Sequence, residues 1–398
     1  MPSTARLRSR TPARVLPGLV ALSALLASAC GSSSGGTGSG DAAPVTIGLF
    51  TSLSASSGAY GVPIEAGLKL YINEVNAHGG VKGHKISVDV QDNQGTSAGG
   101  VTSVQKLLSS DPKPVAILGG FYSDSTIAAL PLIQRAQVPL LVDGAASTVI
   151  TAKAGVGGDP WVFRWVPDNG VVADATIQNL KAHGITSIAI VADTSSYGSD
   201  GANALDAAAK ADGLQVLSKD LVDLSSPDFS SIIARLGNEH PGAVALWLTQ
   251  AETFYTQYGQ SSLKNVPIAG QVDLTQQAIT TYKLHGWDTY QYSPGIDTPQ
   301  NKAFIAAWTK DGQKVADASF GYDGYEAAEV IVAALRNAAS FTPAGVQKAL
   351  KNLDFKPTLA GGQIQFDSHG QAHDNVVNVT FSGATESTQL LTPSQIRQ

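Results

Sequence analysis

The sequence predicts an α/β protein built as two doubly wound, Rossmann-like lobes. Short apolar runs rich in β-branched residues alternate with segments of helical period along most of the 398 residues. Continuous apolar strands separated by helices are typical of parallel sheets that are covered on both faces. The alternation is interrupted near 163–169, so we expect two successive sets of β-α units and hence two lobes.

Each element follows from its local pattern. In the first helix, Ile64, Leu68 and Ile72 recur on one face, and a pair of glycines ends the pattern. Strands are predicted at 45–50, 85–91, 114–119, 138–142, 187–191, 214–217, 243–248 and 267–272. Helices are predicted at 64–78, 97–109, 125–137, 170–183, 199–212, 228–238, 251–263, 274–285, 299–311, 322–339 and 343–352. Alternation at 362–366 and 376–381 predicts a late hairpin.

The N-terminus has the features of an export signal. Four arginines precede an apolar stretch at 15–29, and its last small residues lead directly to Cys30. This arrangement resembles a bacterial lipoprotein signal, which makes Cys30 the predicted site of lipid attachment. The Ser/Gly-rich tract that follows predicts a flexible linker. The alternative is an ordinary signal peptide followed by an unmodified cysteine.

Composition limits the class of protein. Residues 1–29 hold four of the 26 basic residues and none of the 32 acidic ones, so the mature chain has a net charge of −10. Such an acidic chain has no electrostatic footprint for nucleic acid, and membrane attachment is expected through the lipid alone. Cys30 is the single cysteine, which excludes a disulfide within the chain.

Two predicted loops are suited to binding an anion. They follow the strands at 114–119 and 138–142, and ligands of open α/β sheets bind beyond the carboxyl ends of strands. Free N–H groups at a helix start favour a carboxylate, small residues allow the backbone to approach it, and serine hydroxyls add donors. The candidate residues are Ser123, Ala145, Ala146 and Ser147. The alternative is that Ser123 or Ser125 merely caps a helix.

A series of short strings then points to a family. The strings are IG at 47–48, GAYG at 58–61, NEVNAHGGVKG at 73–83, DNQ at 92–94, FRWVPD at 163–168, YG at 197–198, DFSS at 228–231, FGYDG at 320–324, GG at 361–362, FD at 366–367 and Gly370. In this order and spacing, the chain resembles the type I periplasmic binding proteins of ABC importers, specifically the branched-chain amino-acid (Leu/Ile/Val)-binding group. The resemblance covers about 45–381.

The resemblance implies that three crossovers join the lobes and that a solute is held between them. The implied organisation is a signal peptide at 1–29, lipidated Cys30 with a linker to 44, lobe 1 at 45–164 plus 297–354, lobe 2 at 165–296 plus 355–383, and a C-terminal tail at 384–398.

The resemblance also implies roles for site residues. Positions matching Ser123, Ala145, Ala146 and Ser147 hold the carboxylate of an amino acid. Tyr60 matches a position that packs on the ligand, and Tyr197 one that closes over it. Tyrosine suits both roles because its ring buries apolar surface while its hydroxyl keeps a polar contact. The alternative is that each tyrosine stacks on its own lobe.

The chain departs from the family where the ligand's ammonium group would bind. The relatives place an acid after a lobe-2 strand, whereas this chain has Gln271 there, with Asp273 two residues later. Gln250 replaces an aromatic residue common in the family. An unpaired buried ammonium is costly. Either Asp273 pairs with it, or the solute is another small carboxylate, an amide or a urea.

The predicted function is capture of a small-molecule solute for an ABC importer, without chemistry. No nucleophile elbow, phosphate loop or zinc motif is present, so no catalytic residue, metal or cofactor is expected. The expected protein is an exported monomer on the outer face of the cell membrane, and its partners are the solute and the permease subunits. The alternatives are a sensing module that docks to a separate signalling receptor and, less favoured, an enzyme.

Overall fold

The computed structural model describes residues 42–54, 57–155, 158–271, 281–383 and 385–396. Its strands are β1 Ala42–Thr51, β2 His84–Asp92, β3 Ile117–Gly119, β4 Leu140–Val142, β5 Val162–Arg164, β6 Ser187–Asp193, β7 Gln215–Val222, β8 Ala243–Trp247, β9 Ile268–Gly270, β10 His285–Tyr290, β11 Val376–Ser382 and β12 Thr385–Leu391. Its helices are α1 Gly58–Ala77, α2 Ser97–Ser109, α3 Ser123–Ala136, α4 Thr148–Ala152, α5 Asn169–Ala182, α6 Ser196–Asp212, α7 Ser230–Glu239, α8 Glu252–Gly259, α9 Pro299–Lys310, α10 Ala318–Asn337 and α11 Pro343–Lys351.

The strands form two sheets. The first has the order β2-β1-β3-β4-β5 and is parallel throughout. With α1–α4 and α9–α11 it forms what we term the five-stranded lobe. The second has the order β12-β11-β10-β9-β8-β6-β7 and, with α5–α8, forms the seven-stranded lobe. Only β11 and β12 run antiparallel to their neighbours there. The predicted α/β class with two doubly wound sheets is confirmed.

The chain passes between the two sheets three times. It crosses after β5, returns after β10 to the helices α9–α11, and crosses again after α11 to reach β11. The first and third passages lie side by side. Arg164 N–H donates to Gly370 O at 2.7 Å, and Ala372 N–H donates to Arg164 O at 2.9 Å. These main-chain bonds join β5 to the segment that leads into β11.

In both sheets the order in which successive strands are added reverses at one strand. In the first, β1 has β2 on one side and β3 on the other, and in the second β6 likewise lies between β7 and β8. Such a reversal leaves a crevice at the carboxyl ends of the strands, where open α/β sheets bind ligands. The loops after β1, β3 and β4 in one lobe, and after β6 and β8 in the other, are therefore the expected ligand loops.

Two helices of the five-stranded lobe pack unusually closely. A Cβ added at Gly324 in α10 would lie 1.8 Å from the carbonyl oxygen of Ile64 in α1, and one added at Gly67 would lie 1.8 Å from that of Gly321. Both positions therefore require glycine, because any side chain would force the helices apart. The contact fixes the first turn of α10, which carries Phe320 toward the ligand loops.

The structure differs from the sequence expectations in three places. The segment 362–366 makes only isolated bridges, and the hairpin forms instead between β11 and β12, because β11 also completes the sheet beside β10. The strand β10 was not predicted, because its sequence HGWDTY lacks an apolar run. The predicted helix at 274–285 and the predicted signal peptide and linker lie largely outside the described residues.

Candidate functional site

Two serines meet between the loops that follow β3 and β4. The Ser147 N–H donates to Ser123 Oγ at 3.2 Å, and both residues are buried. Ser123 opens α3, but Tyr122 holds the N-cap position and no side chain caps this helix. Capping therefore does not explain Ser123 or Ser125. Ser147 does cap α4, because its Oγ accepts the Val149 N–H at 3.3 Å.

The loop that carries the predicted alanines is held on its carbonyl side. Arg164 Nη1 donates to Ala145 O at 3.2 Å and to Ser147 O at 2.7 Å. Asn169 N–H donates to Ala146 O at 2.8 Å. Because three successive carbonyls are engaged, contacts within the chain fix the conformation of 145–147. Ala145 and Ala146 are both buried.

Arg164 is fully buried at the end of β5. Besides the two carbonyls, its Nε donates to Gln371 Oε1 at 2.7 Å, and its Nη2 donates to Thr151 Oγ1 at 2.7 Å and to Asp168 Oδ2 at 3.2 Å. Burial lowers the pKa of the guanidinium to about 10, so it stays charged at neutral pH. One side chain thereby connects the loop at 145–147, which we term the serine loop, to the first and third crossovers.

Aromatic rings line the five-stranded side of the cleft. The Tyr60 ring, in the first turn of α1, stacks on Phe121 at 5.1 Å and meets the edges of Phe320 at 4.9 Å and Tyr122 at 6.0 Å. These four half-buried rings form what we term the aromatic wall. Tyr60 Oη also donates to the Thr249 carbonyl of the opposite lobe, at 3.4 Å. Tyr60 therefore stacks on its own lobe and also contacts the opposite lobe, and its packing on a ligand stays a prediction.

Tyr197 lies in the first turn of α6, on the seven-stranded side. Its Oη donates to Gln271 O at 3.4 Å, and its ring centroid is 6.2 Å from that of Trp247. The Trp247 indole donates to Asn169 Oδ1 at 2.9 Å, and Asn169 Nδ2 donates to Tyr197 O at 3.0 Å and to Asp200 at 2.9 Å. A continuous hydrogen-bond network therefore positions this tyrosine.

The remaining predicted contacts stay predictions. Gln250 is exposed in the loop after β8. Gln271 is buried beside Tyr197, and its Oε1 has no hydrogen-bond partner among the described residues. Asp273 and Cys30 lie outside the described residues.

Two carboxylates join the lobes across the cleft, each at a helix N-terminus. The Asp124 side chain in α3 accepts the Ser196 N–H at 3.2 Å and also the Ser196 hydroxyl, where α6 begins. In return, Asp200 of α6 accepts the Thr148 N–H at 2.7 Å and its hydroxyl at 2.6 Å, where α4 begins. Negative charge is favoured at a helix start, so these reciprocal bonds hold the two lobes against each other in this structure.

One buried carboxyl beside the serine loop has no such partner. Asp143 follows β4 directly, and neither of its side-chain oxygens is hydrogen-bonded within the described structure. Burial raises the pKa of this carboxyl to about 8.

Sequence reasoning missed several residues that shape this site. Arg164 and Phe320 appeared only inside family strings, and Asn169 and Asp200 were not singled out. An arginine within an otherwise apolar strand was an available signal, because a buried charge needs partners. Nothing in the local pattern distinguishes Asp200 from other surface acids of α6.

Among the described residues, no helix is long and apolar enough to cross a bilayer. Nor do three or more His, Cys, Asp or Glu side chains come together there in a way that could hold a metal ion.

Two doubly wound sheets, joined by three crossovers with opposed ligand loops, define the type I periplasmic binding protein fold. A solute-binding protein of Rhodopseudomonas palustris solved with 4-hydroxybenzoate has a TM-score of 0.78 at 21% identity, covering 88% of this chain and 97% of that one. The leucine-binding protein LivK of Thermotoga maritima has a TM-score of 0.76 at 17% identity, covering 88% and 100%. The fold is therefore shared with transport proteins.

The sequence comparisons then give the family. A model described as "Periplasmic binding protein" matches residues 44–385, and the chain belongs to that family. Leu/Ile/Val-binding protein homolog 8 of Brucella abortus is 27% identical over 355 residues, covering 83% of this chain and 86% of the relative. Leu/Ile/Val-binding protein BraC3 of Rhizobium johnstonii is 25% identical over 332 residues, covering 80% and 86%. The chain is thus a solute-binding protein of the ABC-transporter type.

Proposed function

We propose that this protein captures a small carboxylate-bearing solute, an amino acid or a close analogue, in the cleft between its lobes and delivers it to the permease subunits of an ABC importer. The observation that carries the proposal is the hydrogen bond from Ser147 N–H to Ser123 Oγ at 3.2 Å, which brings the two serines together at the carboxyl ends of β3 and β4. Ser123 Oγ accepts this bond and Ser147 Oγ accepts the Val149 N–H, so each hydroxyl keeps its own hydrogen to donate, and two hydroxyl donors side by side suit a carboxylate, which accepts several hydrogen bonds.

The proposed solute lies against the aromatic wall and under Tyr197. The half-buried rings offer apolar surface beside the two serines, and Tyr197 faces them from the opposite lobe. The solutes named for the similar proteins are Leu, Ile or Val in one group and a benzoate in the other. Each of them combines a carboxylate with an apolar body, and a solute of this kind is proposed here. An amino acid would need Asp273 for its ammonium group, since Gln271 supplies only a neutral oxygen. The further site residues proposed are Ala145, Ala146 and Gln250.

Hinge closure is the proposed mechanism. The lobes rotate about the three crossovers, and the carboxylate bonds of Asp124 and Asp200 form only when the cleft is shut. A solute that contacts both lobes favours that state, which is how differential contacts shift a conformational equilibrium. The closed shape is then what the permease recognises.

A thermal-shift screen tests the proposed function directly. A solute that binds only the folded protein raises its melting temperature. We expect a response to amino acids or small carboxylates, and none to the corresponding methyl esters, which lack the anionic group. No response to any carboxylate would contradict the proposal.

Tyr197→Ala is expected to weaken solute binding at least tenfold while the fold is kept. The substitution removes a ring that faces the proposed solute, and a buried aromatic contributes on the order of 1.5–3 kcal/mol of apolar burial. Calorimetry with the best solute from the screen measures the effect. Tyr282→Ala is the matched control, because Tyr282 is half-buried in the same lobe at the amino end of β10. Equal affinities of the two variants would rule out the assigned cleft.

We also propose lipid anchoring through Cys30, on the outer face of the membrane. The signal-like segment before it and the Ser/Gly-rich tract after it support this. A Cys30→Ser variant expressed in a bacterial host is expected to move from the membrane fraction to the soluble exported fraction. Its retention in the membrane fraction would contradict the anchor without affecting the solute site.

A further inference from the structure

Asp143 is an unusual group for a protein interior. Its side chain is 1% exposed, and both carboxyl oxygens lack a hydrogen-bond partner within the described structure. A buried polar group without a partner is destabilising, and proteins tolerate few of them. This one lies two residues before Ala145, in the loop that fixes the proposed carboxylate site.

A second unpartnered group lies on the neighbouring strand. Leu141 pairs with Phe163 and Val142 with Arg164, where the two strands end, and Asp143 and Trp165 are the residues that follow these strands directly. Leu141 and Trp165 belong to one core cluster, and alternation along β4 puts Asp143 on that same face. The Trp165 indole N–H is buried and, among the described residues, has no acceptor. An unpaired donor and an unpaired acceptor therefore share one face of the sheet.

This pair is continuous with the cleft. The Trp165 ring meets Tyr322 edge-on at 5.3 Å, and Phe320, two residues earlier in α10, belongs to the aromatic wall. Asp143 and Trp165 thus follow neighbouring strands at the carboxyl edge of the sheet. Each residue is 1% exposed in this structure, so a subsite formed by them requires the lobes to open before a solute reaches it.

We propose that Asp143 and Trp165 form a polar subsite for an uncharged hydroxyl or carboxamide group of the solute. Such a group accepts from the Trp165 N–H and donates to the Asp143 carboxyl, which satisfies both residues at once. An ammonium group has no lone pair and leaves the indole unpaired. The inference rests on the proposed function and narrows its solute to carboxylates with a second, neutral polar group.

The test compares solutes that differ in one group. One series is 4-methylpentanoate, 2-hydroxy-4-methylpentanoate and L-leucine; the others are benzoate with 4-hydroxybenzoate, and butanoate with succinamate. Thermal shift and calorimetry are measured on the full mature chain. In at least one series, the hydroxyl or carboxamide member is expected to bind at least tenfold more tightly than its parent.

Variants then assign the preference to the subsite. Asp143→Leu is expected to abolish the preference and to raise the melting temperature without solute, because an apolar group replaces an unpartnered polar one. Asp143→Asn keeps a donor and an acceptor and is expected to keep the preference, whereas Trp165→Phe removes only the N–H and is expected to reduce it. Asp159→Leu is the control, because Asp159 is buried with one unpartnered oxygen but precedes β5, at the opposite edge of the sheet.

The outcomes separate this inference from the proposed function. A preference that persists in Asp143→Leu, or L-leucine binding more tightly than its hydroxy analogue, overturns the subsite and leaves carboxylate capture intact. The absence of any carboxylate binding overturns both.

Discussion

Replacement of Arg164 by leucine is expected to lower the free energy of unfolding by about 3–5 kcal/mol, the cost typical of breaking a buried charged pair. The guanidinium is the donor to two loop carbonyls and to Gln371, Thr151 and Asp168. Leucine fills much of the volume but leaves these acceptors buried without a donor. Urea denaturation measures the change, and solute affinity is expected to fall as well, because the 145–147 loop loses its support.

The matched control for that variant is Arg235→Leu. Arg235 contacts the carboxylates of Asp220 and Glu239, so it too is ion-paired, but 41% of its side chain is exposed. Pairs on the surface contribute at most about 1 kcal/mol. Arg164→Lys keeps the charge but offers a compact group that cannot reach all the acceptors. The free energy of unfolding of this variant is therefore expected to lie between those of Arg164→Leu and Arg235→Leu. Equal free energies of unfolding for the two leucine variants would show that the buried contacts of Arg164 contribute no more to stability than those of a surface arginine.

Removal of the Asp200 carboxylate is expected to open the cleft. In Asp200→Ala, Thr148 loses both of its cross-lobe bonds, and hydrogen bonds to charged groups contribute about 1.5–3 kcal/mol each. A loss of that size moves the closed state from dominant to minor, so apparent solute affinity is expected to fall on the order of a hundredfold. Small-angle X-ray scattering should show a larger radius of gyration for the variant without solute.

The control for closure lies on the same helix. Asp206 in α6 pairs with Lys210 at 2.9 Å and Lys219 at 3.1 Å, within its own lobe. Asp206→Ala is therefore expected to leave both the radius of gyration and the solute affinity unchanged. A closed Asp200→Ala variant with normal affinity would mean that these carboxylate contacts accompany closure without stabilising it.

The fold was predictable from sequence because its signal is periodic. Buried parallel strands such as β6 and β8 are continuous apolar runs, and the order of β and α segments leaves few topologies. The strand β10 was not predicted because its sequence is of mixed polarity and it is stabilised by tertiary pairing with β9 and β11. These neighbouring strands satisfy the main-chain hydrogen bonds of β10, and a local sequence pattern does not identify them.

The candidate site was predictable only in part, for a related reason. Ser123 and Ser147 follow successive predicted strands, and the carboxyl ends of parallel strands lie at one edge of a sheet, so both serines could be assigned to the ligand side without coordinates. The bonds of Asp200 to Thr148 join residues far apart in sequence. Such contacts depend on how two lobes or two strands are placed, and no local spacing encodes that placement.

The side-by-side passages at Arg164 and 370–372 suggest a practical use of this protein. Main-chain bonds hold these two passages together, so the proposed hinge would move them as one unit, and solute occupancy would change the separation between the rims of the cleft. The sequence has a single cysteine, Cys30, which a truncated soluble form would lack. Two engineered thiols, for example at the exposed Val62 and Leu224, would then be the only labelling sites. A fluorophore pair attached there would report solute concentration as a change in energy transfer.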